Sequence, residues 1–200
     1  VTTLGFPYSI SETFVRRNQN QSPAENEAML QTIIKRANKA GMQTVAYISM
    51  AFGNPYGDSW SEEQVADAAR KIAELGADAI SLGDTVGAAE PELISRVVAA
   101  VLREGIQREV GVHLHSTRTA AVPKVVAAFD AGCRRFDSAM GGLGGCPFAQ
   151  DDLVGNIPTD EVLSALAQCG VTLPLQDKLG KVLALNRAIT REFSGVGTGA

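Results

Sequence analysis

Short runs rich in β-branched and aromatic residues alternate along this chain with longer stretches whose apolar positions recur every three to four residues. QTVAYISM (43–50), DAISLGD (78–84), EVGVHLH (109–115) and RRFDSAM (134–140) read as strands, and TTLGF (2–6) precedes them as a fifth. Between them the longer period predicts helices at about 23–40, 62–75, 91–104 and 119–131. The helix starts carry matching chemistry. Ser22-Pro23-Ala24-Glu25 has the form of a capping box with proline at the first helical position, and Ser61 begins a second box. Gly41, Gly76, Gly105 and Gly132 fall where a left-handed helix end favours glycine.

Strands that alternate with amphipathic helices build βαβ units and a parallel sheet. Five units fit. A closed (β/α)8 TIM barrel takes about 250 residues, so 200 residues leave two architectures: an open doubly wound sheet, or a barrel lacking its first strands. No GxGxxG follows a strand, which removes the dinucleotide-binding form of the open sheet. The expected fold is therefore the incomplete barrel over 1–173, followed by a helical extension and tail over 174–200. The extension helix is placed at about 174–193, and SGVGTGA at the end is expected to be disordered. The chain begins at Val1, close to a strand and without an initiator Met, and is read as part of a longer protein.

Composition narrows the partners. A net charge of −4 argues against nucleic acid or an anionic membrane as the main partner. No apolar run approaches the ~20 residues of a membrane helix. Three cysteines without a CxxC spacing make neither a disulfide framework nor a structural zinc site, and they suit a reducing compartment.

The chemistry concentrates at predicted strand ends. His113 and His115, the only histidines, stand at i and i+2 on one strand and so share a face, with Leu114 on the other. Two neighbouring imidazoles resist double protonation, and a shared cation resolves that. Two histidines satisfied by ordinary hydrogen bonds are the plainer alternative, and their place at a strand end tips the balance towards metal. Asp84, just past the third strand, is either an active-site acid or a cap on the next helix. Asp137 is expected to be structural. The glycine-rich stretch GGLGGCPFAQDDLVGN (141–156) reads as a lid, with Cys146 at its turn and Asn156 as a candidate oxygen ligand. A cysteine between glycine and proline is hard to bury well, which raises its claim to reactivity over that of an ordinary core cysteine.

In their order and separations, SLGDTVG, VHLHST and GGLGGCPFAQ…GN resemble the 3-hydroxy-3-methylglutaryl-CoA (HMG-CoA) lyase family, as do VRRNQNQSPAE and AYISMAFGNPY upstream. The resemblance runs from Val1 to about Leu185. HxH is shared with wider aldolase-like metal barrels, whereas GLGGCP followed by Phe or Tyr is specific to the lyase. The resemblance implies a TIM barrel of which this chain supplies the fourth to eighth strands. It makes His113, His115 and Asn156 metal ligands, Cys146 the catalytic lid cysteine, Asp84 an active-site acid, and Asn18 and Tyr47 substrate-pocket residues. The family's remaining ligand, an Asp after an Arg on the first strand, and a Glu near the second have no counterpart here. Two strand edges are accordingly expected to be unpaired. Ser116 stands where the family usually has Asp, Met50 and Asn54 where cysteines are common, and the loop from Cys146 to Asn156 is one residue longer.

The implied reaction is a retro-Claisen cleavage of HMG-CoA, or a close 3-hydroxyacyl-CoA, to acetyl-CoA and acetoacetate. A divalent cation would orient the alcohol, with Mg²⁺ or Mn²⁺ fitting the ligands and Zn²⁺ also admitted. Cys146 would protonate the enolate, with His113 and Asp84 also catalytic, Asp84 polarising or shuttling the alcohol proton. The competing expectations are an isopropylmalate-synthase-like condensing enzyme and a non-catalytic metal-binding barrel. The resemblance further implies an acyl-CoA substrate, a homodimer or higher homo-oligomer, and leucine breakdown or ketone-body formation. The location would be a bacterial cytoplasm or a mitochondrial matrix.

Overall fold

The structure, a computed structural model, describes residues 1–144, 155–173 and 178–193. Five strands, β1 (Thr3–Ser9), β2 (Gln43–Ser49), β3 (Ala79–Gly83), β4 (Glu109–His113) and β5 (Arg135–Asp137), form one parallel sheet in the order β1-β2-β3-β4-β5. That order decides between the two expected architectures. A doubly wound sheet reverses direction at a switch point, whereas here each described strand pairs with the next, as in the wall of a barrel.

The helices are α1 (Glu12–Gln19), α2 (Pro23–Lys39), α3 (Glu62–Glu74), α4 (Pro91–Arg103), α5 (Arg118–Asp130), α6 (Thr159–Gln168) and α7 (Leu179–Phe193). The capping box of α2 forms as expected: Ser22 Oγ accepts from the Glu25 amide, and Glu25 Oε2 accepts from the Ser22 amide at 2.8 Å. Ser61 caps α3 through the Gln64 amide. Gly41, Gly76, Gly105 and Gly132 all have positive φ.

Two helices escape the hydrophobic period because they bury little. α1 sinks only Phe14 and Val15 into the protein, and α6 only Val162 and Ala165. Two contacts are too few to mark a 3.6-residue repeat. The strand limits also differ. β1 runs on through Pro7 to Ser9, where proline is tolerated because β1 ends the described sheet. β4 stops at His113, since His115 pairs instead with Asn156 in an antiparallel bridge. β5 is only three residues long and turns into a 3-10 segment, Met140–Gly142. α7 lies within the expected extension and touches that segment through Asn186 Nδ2, which donates to the Met140 carbonyl at 3.2 Å. The disorder expected of the final SGVGTGA lies outside the described residues.

The two faces of the sheet are chemically opposite. Ala46, Ile48, Ile80, Leu82, Val112 and Leu114 are buried in a core shared with α3, α4 and α5. The intervening residues carry polar groups in register across the strands. Tyr47 pairs with Ser81, Ser81 with Gly111 and Gly111 with Arg135, while Gly83, His113 and Asp137 form the next row. Parallel registry, not sequence proximity, brings these side chains together.

Candidate metal and active site

His113 and His115 share the polar face, as their i, i+2 spacing requires, with ring centroids 5.2 Å apart and planes nearly perpendicular. Leu114 is buried on the opposite face. Tyr47 stacks edge-on against His113 with centroids 5.7 Å apart, so this expected pocket residue does join the histidine pair. Burial, followed by the Asp137 charge, raises the Tyr47 phenol above its usual pKa. Asn18 does not share this cluster's hydrogen bonding: its amide donates back into α1, to the Phe14 carbonyl at 2.9 Å.

Asn156 reaches the histidines through backbone pairing. The Ile157 amide donates to the Leu114 carbonyl, and the Ser116 amide to the Gly155 carbonyl, both at 3.1 Å. These two bonds clamp the returning chain beside the end of β4. Asn156 Oδ1 then lies 3.1 Å from His115 Nε2. The amide's orientation is fixed because its Nδ2 donates to the Leu143 carbonyl at 2.9 Å.

That arrangement leaves an electrostatic question in the site. His115 Nδ1 is 2.8 Å from the Asp84 carbonyl, which can only accept, so Nδ1 carries a proton. In a neutral ring Nε2 is then a lone pair, and it faces the lone pairs of Asn156 Oδ1. Only a shared proton or a cation makes that contact favourable. Next to it, His113 Nδ1 is buried without a hydrogen-bond partner, 3.9 Å from Asp137 Oδ2. Burial, and after it the neighbouring His115, lowers the His113 pKa and favours the neutral ring. Two imidazoles and an amide oxygen thus fit a divalent cation. Among the described residues no three His, Cys, Asp or Glu side chains gather as a metal cluster, and this set reaches three donors only by counting an asparagine.

Asp84 takes a place that its strand-end position did not foretell. It is 2% exposed, and both carboxylate oxygens are engaged: Oδ1 by the Ala89 amide at 3.2 Å, Oδ2 by the Lys124 ammonium at 3.1 Å. Burial pushes its carboxyl pKa up, and Lys124 opposes that rise. The capping alternative comes nearer, because the carboxylate holds the turn leading into α4. Its backbone serves the histidines directly, since its carbonyl receives His115 Nδ1–H and its amide donates to the His113 carbonyl at 2.9 Å.

Sequence reasoning passed over three residues around this site, Ser81, Arg135 and Lys124. Ser81 donates to Asp137 Oδ2 at 2.8 Å and Arg135 to Asp137 Oδ1 at 3.3 Å, which holds Asp137, expected to be structural, in the polar layer beside His113. The third is Lys124. Its signal was present: α5 buries Ala121, Lys124, Val125 and Ala128, and a lysine within an apolar stripe marks a buried charge. Cys146 lies outside the described residues, as do 145–154 generally. Of the described cysteines, Cys133 is buried and its thiol is pushed up to about 11 by desolvation, which makes it inert at neutral pH. No described helix is long and apolar enough to cross a membrane.

Known proteins share this framework. The HMGL-like family model matches residues 1–189. Hydroxymethylglutaryl-CoA lyase YngG of Bacillus subtilis is 37% identical over 185 residues, covering 92% of this chain and 61% of that protein. The mitochondrial hydroxymethylglutaryl-CoA lyase of Bos taurus is 35% identical, with 80% of this chain and 49% of that protein covered. The chain thus spans about half to three fifths of these relatives' length. The solved hydroxymethylglutaryl-CoA lyase of Pseudomonas aeruginosa superposes with a TM-score of 0.87 at 28% identity, over 100% of this chain and 65% of that one. An HMG-CoA lyase from A. baumannii, solved in complex with coenzyme A and 3-methylmalate, gives 0.81 at 30% identity, over 100% and 67%. The parallel sheet is therefore a partial TIM barrel of the HMG-CoA lyase kind. With the match running through every described strand and both histidines, the chain belongs to the HMGL-like family, whose members are generally dependent on a divalent cation.

Proposed function

We propose that the protein to which this chain belongs is a divalent-metal-dependent carbon–carbon lyase. It would cleave HMG-CoA, or a close 3-hydroxyacyl-CoA, to acetyl-CoA and acetoacetate. The observation that carries the proposal is the contact between His115 Nε2 and Asn156 Oδ1, two acceptors held 3.1 Å apart beside a second imidazole. In this reading His113, His115 and Asn156 hold Mg²⁺ or Mn²⁺. When bound, the cation lowers the pKa of the substrate's alcohol and orients the bond to be broken.

The protein's own groups do the rest. Burial favours the neutral His113 ring, whose lone pair can bind a cation. Tyr47, edge-on to His113, walls the pocket and limits the ring's rotation. Asp137, held by Ser81 and Arg135, sets the negative charge beside His113 without floating freely. Cys146, in the glycine-rich segment outside the described residues, delivers the proton that quenches the acetyl-CoA enolate. Asp84 acts through its backbone and its ion pair, and the shuttling of the alcohol proton expected of it forms no part of this reading. The location follows the relatives, a bacterial cytoplasm or a mitochondrial matrix, and the assembly is a homodimer or larger.

The test is direct. Protein expressed from its complete gene is incubated with HMG-CoA, with and without Mg²⁺ or Mn²⁺, and acetoacetate is measured. Metal-dependent acetoacetate is the expected result, and Cys146→Ala should lower turnover by orders of magnitude while metal binding stays intact. Unchanged turnover in Cys146→Ala would remove the cysteine from the mechanism. Acyl-CoA consumption only when a keto acid and acetyl-CoA are both supplied would replace the lyase reading with a condensing one.

A further inference from the structure

Lys124 is the one lysine in the core of the described structure, with 6% of its side chain exposed against an Asp84 side chain at 1%. A buried ion pair costs more in desolvation than its attraction returns unless the remaining donors are satisfied. Here they are. The ammonium has three protons and three acceptors: Asp84 Oδ2 at 3.1 Å, the Gly87 carbonyl at 3.0 Å and the His115 carbonyl at 3.0 Å. These acceptors belong to the segment after β3 and to the chain just past β4, while the lysine belongs to α5. One ammonium therefore joins three separate pieces of chain.

The linkage closes on His115. Lys124 holds the histidine's backbone carbonyl directly, and it holds the Asp84 carboxylate. The carbonyl of the same Asp84 accepts the His115 Nδ1 proton. The backbone and the ring of one histidine are thus fixed from a single charged pair, and the ring is left with Nε2 directed at Asn156 Oδ1. His113 has no such fixture, because its Nδ1 lacks a partner.

We propose that Lys124, through its ion pair with Asp84, is a positioning residue that locks His115 in the Nδ1–H tautomer and so presents Nε2 to a divalent cation. The metal half of this inference rests on the reading of His115 as a ligand. The tautomer half does not. Partners that fix a ligating histidine typically change metal affinity about 10–100-fold when removed.

The test uses the complete protein. Lys124→Met leaves a buried carboxylate unpaired and risks unfolding, so the deciding variant is the neutral pair Lys124→Gln with Asp84→Asn. Wild type and variant are first compared by thermal melting. Metal-free samples then give the tautomers of His113 and His115 from long-range ¹H–¹⁵N correlation, assigned by comparison with single His113→Gln and His115→Gln variants. Mn²⁺ affinity follows by calorimetry. The expected wild-type result is a single Nδ1–H tautomer at His115. In the folded double variant the ring should become a tautomer mixture and the Mn²⁺ Kd should weaken about 10–100-fold. Lys124→Arg, which keeps the charge, should retain the tautomer. A folded double variant with an unchanged tautomer and unchanged Kd would overturn the proposal and leave the lysine a purely structural role. Wild-type protein that binds no Mn²⁺ would overturn the ligand reading instead, and the tautomer comparison would still decide whether Lys124 holds the ring.

Discussion

The two faces of this sheet are built from alternate residues of the same five strands, yet they are held by different physics. On the helix side, Ile48, Ile80, Leu82 and Leu114 are nearly or fully inaccessible and touch other apolar side chains. Each such residue gains roughly 1.5–3 kcal/mol from burial, with no demand on direction. On the other side, Tyr47, Ser81, His113, Arg135 and Asp137 are joined by contacts that work only in one orientation. The first face supplies stability. The second face spends some of it on groups that need partners, and it includes two nitrogens, His113 Nδ1 and Arg135 Nη1, that have none among the described residues. Substitutions should therefore separate by face: outer ones should act on folding, inner ones on metal and turnover.

The largest effect should come from the inner face. On the proposed function His115→Ala removes a metal ligand, and loss of several kcal/mol of transition-state stabilisation corresponds to a fall of about 10³-fold or more in kcat/KM. Its melting temperature should change little by comparison. On the outer face, Leu82→Ala lies on the same strand as Ser81 but in the apolar core. It should lower stability by about 2–5 kcal/mol in a urea titration, while the folded fraction keeps its kcat. If Leu82→Ala abolished turnover in fully folded protein, or if His115→Ala unfolded the chain, the division between faces would fail.

The outer face was legible in the sequence because it is periodic. Ile80 with Leu82, and Val110 with Val112 and Leu114, alternate with polar or small residues, and α3 and α4 repeat with a helical period. The parallel sheet and the five βα units followed from that. The inner face was legible only where one strand carried two chemical groups, His113 and His115. The remainder depends on registry between distant segments: Ser81 meets Asp137 across 56 positions, and Lys124 meets Asp84 across 40. Nothing local in RRFDSAM tells Asp137 that Ser81 will face it. Asp84 shows the same limit from another direction. Its strand-end position left an active-site acid and a helix cap as alternatives, and neither announced the lysine 40 residues on that pairs with its carboxylate.

Gly111 tests how closely the inner face is packed. A Cβ built there would lie 2.8–2.9 Å from Arg135 Cγ, Cβ and the Arg135 carbonyl oxygen, closer than real contacts allow. One of the three atoms is backbone and cannot swing away. Gly111→Ala should therefore push β4 from β5 and loosen the Arg135–Asp137 bond, at a cost of about 1–3 kcal/mol. Because Asp137 faces His113, this one methyl should also raise the KM for metal or substrate, which Leu82→Ala should not do. A Gly111→Ala variant with wild-type stability and kinetics would mean that the polar row tolerates slack.

The smallest expected effect lies at the strand ends, away from both faces. Asp58 joins the loop after β2 to the start of α1: it accepts from Ser11 Oγ at 2.5 Å, from Thr13 Oγ1 at 2.8 Å and from the Thr13 amide at 3.0 Å. The Ser11 and Thr13 side chains, more than any other influence, hold its pKa below the ordinary aspartate value. A carboxylate whose folded-state pKa is depressed adds stability that is complete above its unfolded value, near ~4, and is lost as pH falls through the folded value. Asp58→Asn should therefore lower stability at pH 7, by less than about 1 kcal/mol because solvent screens this carboxylate, and by progressively less below pH 4, so that the two melting curves converge in acid. Turnover and Mn²⁺ affinity should stay at wild-type values throughout. Divergence of the curves in acid would reverse the sign assigned to Asp58. A loss of turnover at pH 7 in folded protein would extend the functional surface beyond the inner face to the β1–α1 connection.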